Sequence, residues 1–126
     1  MLEAPKLMKM AQDLARHAGA RQSQIAKNVA NADVPGYRAK DLADFSATYS
    51  RQMEVRTTRA SHLSSAELGR SFELVDRGGP AAPNGNNVSI ETEMVRGTDA
   101  KSQHDLALTV YKNSLDILRA AIGRGR

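Results

Sequence analysis

The sequence predicts a mainly α-helical protein, with long N- and C-terminal helices packed as a coiled-coil pair and an irregular middle segment that can hold a small β-hairpin. Apolar residues recur at steps of three and four near both ends of the 126-residue chain, as they do on one face of a helix. Ala and Leu, both good helix formers, supply most of them. The centre collects Arg, Ser, Thr, Gly and Pro. With two Phe, three Tyr and no Trp, the chain is not expected to build a large globular core.

The first helix is predicted from about residue 5 to residue 32. Arg21 interrupts its apolar stripe, so the guanidinium should reach solvent or pair with an acid. The helix must stop at Pro35, which lacks a backbone N–H donor and moves Val34 out of the α region. Gly36 supplies the positive φ that the third position of a type II turn requires. The stripe consists of Leu7, Ala11, Leu14, Ala18, Ile25 and Val29.

Two asparagines precede this turn. Asn28 and Asn31 are three residues apart, so their amides are expected to share a helix face and to hydrogen-bond the turn. The spacing alone is equally typical of an ordinary helix C-terminus with Asn and Asp near the stop.

The segment from Ile25 to Tyr37, IAKNVANADVPGY, resembles the N-terminal signature of the bacterial flagellar axial proteins, the family of rod, hook and filament subunits. Val34 stands where that signature usually has Thr. A second block, GNNVSIETEM at residues 85–94, resembles the proximal rod members of the family, and residues 57–63 resemble them loosely. The resemblance implies that the exit of the first helix is fixed by Asn28, Asn31, Pro35, Gly36 and Tyr37.

The middle segment offers weaker patterns. Residues 41–53 are predicted to form a short helix that carries Leu42, Phe45, Tyr49 and Met53. Residues 54–59 alternate in the manner of a strand and are predicted to pair with residues 72–75 as a small β-hairpin. Gly and Pro mark residues 78–87 as a linker with an Asn-Gly turn. A small helical bundle completed by a helix of this segment is the alternative architecture.

The last helix is predicted to start after Ser89, its N-cap, with Glu91 and Glu93 near the positive end of the helix dipole. Gly123 and Gly125 should let the chain fray. A heptad seam runs along this helix through Met94, Gly97, Lys101, His104, Leu108, Tyr111, Leu115, Leu118 and Ile122. A neighbouring row is formed by Ala107, Val110, Ser114, Ile117 and Ala121. So wide an apolar face predicts more than one neighbour. Three parts of one domain follow: residues 1–37, 38–88 and 89–126.

No catalytic or cofactor-binding constellation is found. There is no Cys, and His17, His62 and His104 lie too far apart to predict a metal site; each is expected at the surface or at an interface. Gly78-Gly79 lacks the Lys-Ser/Thr of a phosphate-binding loop. The net charge of +4 is spread among acids without a basic, aromatic face, so nucleic acid is not an expected partner. The chain is predicted not to be an enzyme and to need no cofactor or metal.

The resemblance implies a structural subunit of the proximal flagellar rod, which polymerises through its terminal helices and transmits motor torque. Implied partners are other copies of itself, a FliE-type adaptor, rod proteins of the FlgC, FlgF and FlgG types, and the flagellar type III export apparatus. The implied location is the periplasmic rod of the basal body. Export without a cleaved signal peptide agrees with an N-terminus that has no continuous apolar region, and no run reaches transmembrane length.

The helix faces also predict how the isolated chain behaves. Too few large apolar residues are available to stabilise two long helices alone, so we expect poorly ordered termini that fold as neighbouring chains assemble. A soluble helical adaptor or regulator, binding a partner helix or a polyanion, is the alternative function; it predicts a compact monomer or dimer.

Overall fold

A computed structural model describes residues 3–54 and 72–123. Two long helices dominate it, and they run in opposite directions. Asn28 lies beside Glu93, and Ile25, one turn earlier on the first helix, lies beside Gly97, one turn later on the last. The terminal helices are therefore an antiparallel packed pair, as predicted. In chain order the elements are α1 (Glu3–Ala30), β1 (Lys40–Leu42), α2 (Phe45–Glu54), β2 (Leu74–Asp76) and α3 (Ile90–Gly123).

The helix ends follow local backbone chemistry. At the end of α1 the chain enters a type II turn, in which the Tyr37 N–H donates to the Val34 carbonyl at 3.2 Å and Gly36 has a φ of 74°. Both features confirm the predicted turn. Ser89 caps α3 as predicted, since its Oγ accepts from the Thr92 N–H at 3.5 Å.

The contact between α1 and α3 uses small side chains. Ala100, Ala107 and Ser114, seven residues apart, are buried on α3, and α1 buries its own seven-residue series. The alanines and the serine let the two backbones approach closely, and Ile25 of α1 lies opposite Gly97, which has no side chain. The predicted heptad period is thus confirmed, but the column that faces α1 lies beside the predicted seam. The α1 series is Ala11, Ala18 and Ile25.

In the middle segment, the predicted helix starts later, and a strand that was not predicted, β1, precedes it. The helix predicted from residue 41 begins at Phe45, because Leu42 belongs to β1 and is buried there. The strand predicted near residues 72–75 exists as β2 and pairs with β1, in the register Lys40↔Asp76 and Leu42↔Leu74. The predicted pairing of this strand with residues 54–59 stays a prediction. Residue 54 ends α2, and residues 55–59 lie outside the described residues.

Candidate assembly junction

The two sequence blocks that carry the family resemblance lie against each other. Asn86, which is buried, donates from its side-chain amide to the carbonyls of Asn31 at 2.9 Å and Val34 at 2.8 Å. The N–H of Gly36 donates to the Asn84 carbonyl at 2.9 Å. The loop before α3 therefore satisfies the backbone groups that the turn after α1 leaves open.

Asn87 extends the same contact. Its Oδ1 accepts from the Ala39 N–H, and its amide donates to the Gly78 carbonyl at 3.0 Å. Its own N–H donates to the Tyr37 carbonyl at 3.3 Å. One side chain thus joins the chain before β1 to the chain after β2.

Asn28 occupies the centre of the junction and is fully buried. Its amide donates to the Lys40 carbonyl at 2.7 Å, and its Oδ1 accepts from the Lys40 N–H at 3.3 Å. The side chain thereby takes the place of a neighbouring strand along the outer edge of β1. The same Oδ1 also accepts from the Tyr37 hydroxyl at 3.0 Å and from the Gln24 amide at 3.1 Å.

The first turn of α3 supplies a buried acid. Glu93 is fully buried; it accepts from the Asn28 amide at 3.1 Å and forms an ion pair with Arg77. Burial lowers the pKa of Arg77, and the nearby cation of Arg96 lowers it further. A carboxylate without access to water must be paired and hydrogen-bonded, so Glu93 ties the chain after β2 to α3. We call Asn28, Tyr37, Asn86, Asn87 and Glu93 the asparagine junction.

A second ion group lies next to the asparagine junction. Asp41 on β1 accepts from the Arg21 guanidinium of α1 at 3.3 Å and pairs with Arg96 of α3. The prediction that Arg21 reaches solvent or pairs with an acid is confirmed, since it pairs. Asp41 was not predicted as this acid, because no local pattern indicates which acid forms an ion pair with Arg21. Three elements meet at this carboxylate.

His17 was predicted at the surface or at an interface and is instead buried. Its Nε2 donates to the Ala43 carbonyl at 2.7 Å, and its ring lies edge-on to Phe45 and Phe72 at 5.7 and 5.1 Å between centroids. These contacts hold the start of α2 and the start of β2 on α1. The prediction was wrong because the middle segment covers this side of α1. His104 is half-buried, and His62 lies outside the described residues.

The predicted site residues divide into two groups. Asn28 and Tyr37 meet in the asparagine junction, beside the turn of Pro35 and Gly36. The Asn31 amide takes a different partner and donates to the Lys27 carbonyl at 2.7 Å. On α3, Met94, Leu108 and Ile122 are exposed, and Tyr111, Leu115 and Leu118 are half-buried. Asn86, Asn87, Glu93 and Arg77 were missed as junction residues, although the second sequence block contains three of them.

Two further findings concern the described residues alone. Across residues 3–54 and 72–123, no three His, Asp or Glu side chains are grouped so that they could hold a metal ion. Within the same ranges, no helix has the length and apolar content needed to span a membrane.

Comparison with known proteins identifies the family. No family model matches the chain. The flagellar basal body rod protein FlgB of Bacillus subtilis is 30% identical over 112 residues, which cover 86% of this chain and 87% of the relative. This chain belongs to the FlgB family. FlgB of Agrobacterium fabrum is 29% identical over 117 residues, or 86% of each chain, and FlgB of Salmonella typhimurium is 30% identical over 111 residues, or 75% and 77%. The resemblance read from the two sequence blocks is confirmed.

Proposed function

We propose that this chain is a structural subunit of the flagellar rod, which polymerises through α1 and α3 and transmits motor torque. Apolar surface on α3 carries the proposal. Met94, Val95, Ile117 and Ile122 are 63–73% exposed, although large side chains of this kind are each stabilised by about 1.5–3 kcal/mol when buried. Neighbouring chains would supply that burial.

The asparagine junction supports a role in transmitting force. A torque applied to one long helix reaches the other only if the two cannot slide or separate. Asn28 and Glu93 join the end of α1 to the first turn of α3, and Asp41 joins both helices to β1. Buried hydrogen bonds and ion pairs of this kind have strict geometry, so they favour a stiff subunit.

By the same proposal, the chain has no enzymatic activity and acts in the periplasmic rod of the basal body, after export without a cleaved signal peptide. Its neighbours are other copies of itself, a FliE-type adaptor and other rod proteins. The relatives support this placement through their name, flagellar basal body rod protein.

Recovery of the chain in basal bodies tests the proposal. In a strain whose own gene is deleted, a tagged copy should restore motility and copurify with detergent-extracted basal bodies. The purified chain alone should be a poorly ordered monomer by far-UV circular dichroism and sedimentation, and should turn helical only as it forms large polymers. A compact small species that binds polyanions and is absent from basal bodies would contradict the rod function and favour an adaptor.

A further inference from the structure

Exposed apolar residues of α3 fall into two rows on different sides of the helix. Met94, Leu108 and Ile122, the first row, are 67%, 50% and 73% exposed. Val95, Leu106 and Ile117, the second row, are 64%, 58% and 63% exposed. Both rows flank the column through Ala107 that contacts α1.

The angle between the rows decides how many neighbours α3 needs. Successive residues of a helix are about 100° apart, so Leu108 and Leu106 lie about 100° to either side of Ala107. A single neighbouring helix, about 10 Å wide, cannot cover both sides. Two separate neighbours, in addition to α1, are required to bury the two rows.

The rows carry opposite charge. Lys101 lies seven residues before Leu108 and Lys112 four residues after it, so both border the first row. With Arg119 they outnumber the two acids there, Asp105 and Glu91, which lie three residues before Leu108 and Met94 respectively. The second row is bordered by Glu91 and Asp99, each four residues from Val95, and by no basic residue of α3. The two lysines, Lys101 and Lys112, and the two acids, Glu91 and Asp99, are exposed. None of the four forms an ion pair within the described part of the chain. Each row is thus complementary to the other in charge and apolar content.

From this complementarity we infer that the first row of one copy docks on the second row of the next copy. The inference rests on the proposed rod function and adds which surfaces meet. Because two different surfaces are in contact, the arrangement does not close as a two-fold dimer and can extend into an open helical polymer. Lys101 and Lys112 of one copy then lie near Glu91 and Asp99 of its neighbour.

Charge reversal with rescue tests the contact. Lys101→Glu with Lys112→Glu makes the first row acidic, and Glu91→Lys with Asp99→Lys makes the second row basic. Each pair should lower recovery in basal bodies at least roughly tenfold, because like charges then face each other. Combining all four substitutions restores opposite charges, so recovery should return to within about threefold of the unmodified chain.

Two controls separate this effect from unrelated ones. Asp116→Asn changes an exposed residue that is not three, four or seven positions from any member of either row, and this variant should be incorporated normally. A net-charge control joins the reversed lysines to Asp33→Lys and Asp44→Lys, two exposed acids outside α3. This control has the charge of the unmodified chain without the complementary rows, so it should stay excluded. Far-UV circular dichroism in an osmolyte verifies that every variant can still fold.

Each outcome decides the inference. Normal incorporation of either reversed pair would show that its row does not border a contact. Failure of the fourfold variant, after both pairs fail, would show that the rows meet other rod proteins instead of each other. Rescue by the net-charge control would also overturn the inference. If the unmodified chain itself is absent from basal bodies, the proposed function fails, a result distinct from all of these.

Discussion

Asn28 and Glu93, 65 residues apart in the chain, meet through a 3.1 Å hydrogen bond between two fully buried side chains. Asn28 also bonds both backbone groups of Lys40, and Glu93 pairs with Arg77. The end of α1, the first turn of α3 and the two-stranded sheet are therefore joined at one point. Removing either partner should loosen all of these elements together.

Asn28→Ala should be strongly destabilising. The substitution leaves buried polar groups of Lys40, Gln24 and Glu93 unsatisfied, and we expect a loss of about 3 kcal/mol in the free energy of unfolding. Urea titration of circular dichroism, in trimethylamine N-oxide to favour the folded chain, measures it. Asn31→Ala is the matched control, because that amide bonds only to its own helix; equal losses for the two variants would contradict the central role of Asn28.

Glu93→Gln should remove the ion-pair partner of the half-buried Arg77 and lower stability by about 1.5–3 kcal/mol. The same titration measures this loss. Glu91→Gln is the control: Glu91 lies two positions before Glu93 and is exposed, so its substitution should change stability by less than about 0.5 kcal/mol. Adding Arg77→Met to Glu93→Gln should recover part of the loss, since the two residues form one unit. Strictly additive effects would show that the ion pair is not coupled.

Gly85→Ala should be more damaging than Gly36→Ala. Both residues have positive φ, 86° and 74°, so each alanine costs about 1 kcal/mol in backbone strain. A Cβ at Gly85 would also lie 3.3 Å from the Gly36 Cα, whereas a Cβ at Gly36 meets open space. Gly19 lies within α1, where an added Cβ meets open space, so Gly19→Ala should instead stabilise the folded chain by about 0.5–1 kcal/mol. The reverse ranking in urea titrations would contradict the close approach of the two loops.

Asp76 should contribute stability that depends on pH. The Gly78 N–H, at 2.8 Å, and the Arg38 guanidinium, at 2.9 Å, hold the pKa of this carboxyl below its usual 3.8. Its contribution is therefore complete above the usual pKa and is lost as the pH falls through the lower, folded-state pKa. Carboxyl NMR titration measures this pKa. Arg38→Gln should leave it partly lowered, because the Gly78 bond is the larger cause; an ordinary pKa in the folded chain would contradict the contact.

Leu115→Glu should block incorporation into basal bodies. Leu115 is half-buried on α3, and a carboxylate there both removes apolar surface and requires desolvation in any helix contact. We expect recovery in purified basal bodies to fall at least roughly tenfold with unchanged synthesis. Thr109→Glu, on the polar side of the same helix, is the control and should assemble. Normal rods with Leu115→Glu would refute the predicted seam as an assembly surface.

Predictions from the sequence were most accurate where the chemistry is local. The turn at Pro35 and Gly36 was predicted in type and position, because ring closure and the absence of a Cβ restrict the backbone whatever surrounds it. The Ser89 cap was also predicted, because its hydroxyl bonds a backbone N–H only three residues away. The partner of the Asn31 amide, the Lys27 carbonyl, was not predicted.

Long-range pairing was beyond these local rules. The pairing of β2 with β1 was not predicted; the burial of Leu42 and the bond between Lys40 and Asn28 fix β1 in place. His17 was expected outside the core and is buried by the middle segment. Such choices depend on segments distant in sequence, which periodicity does not compare.

By itself, the sequence determined two long helices, their heptad period, the turn that ends the first and the family to which the chain belongs. Only the tertiary structure decided which column of α3 faces α1 and which acids form ion pairs with Arg21 and Arg77. The physical reason is that the helical period depends on one chain segment alone. Which side chains are buried depends on the partner helix: α1 packs on Ala107 and Ser114, and Leu108 and Ile117 therefore stay exposed.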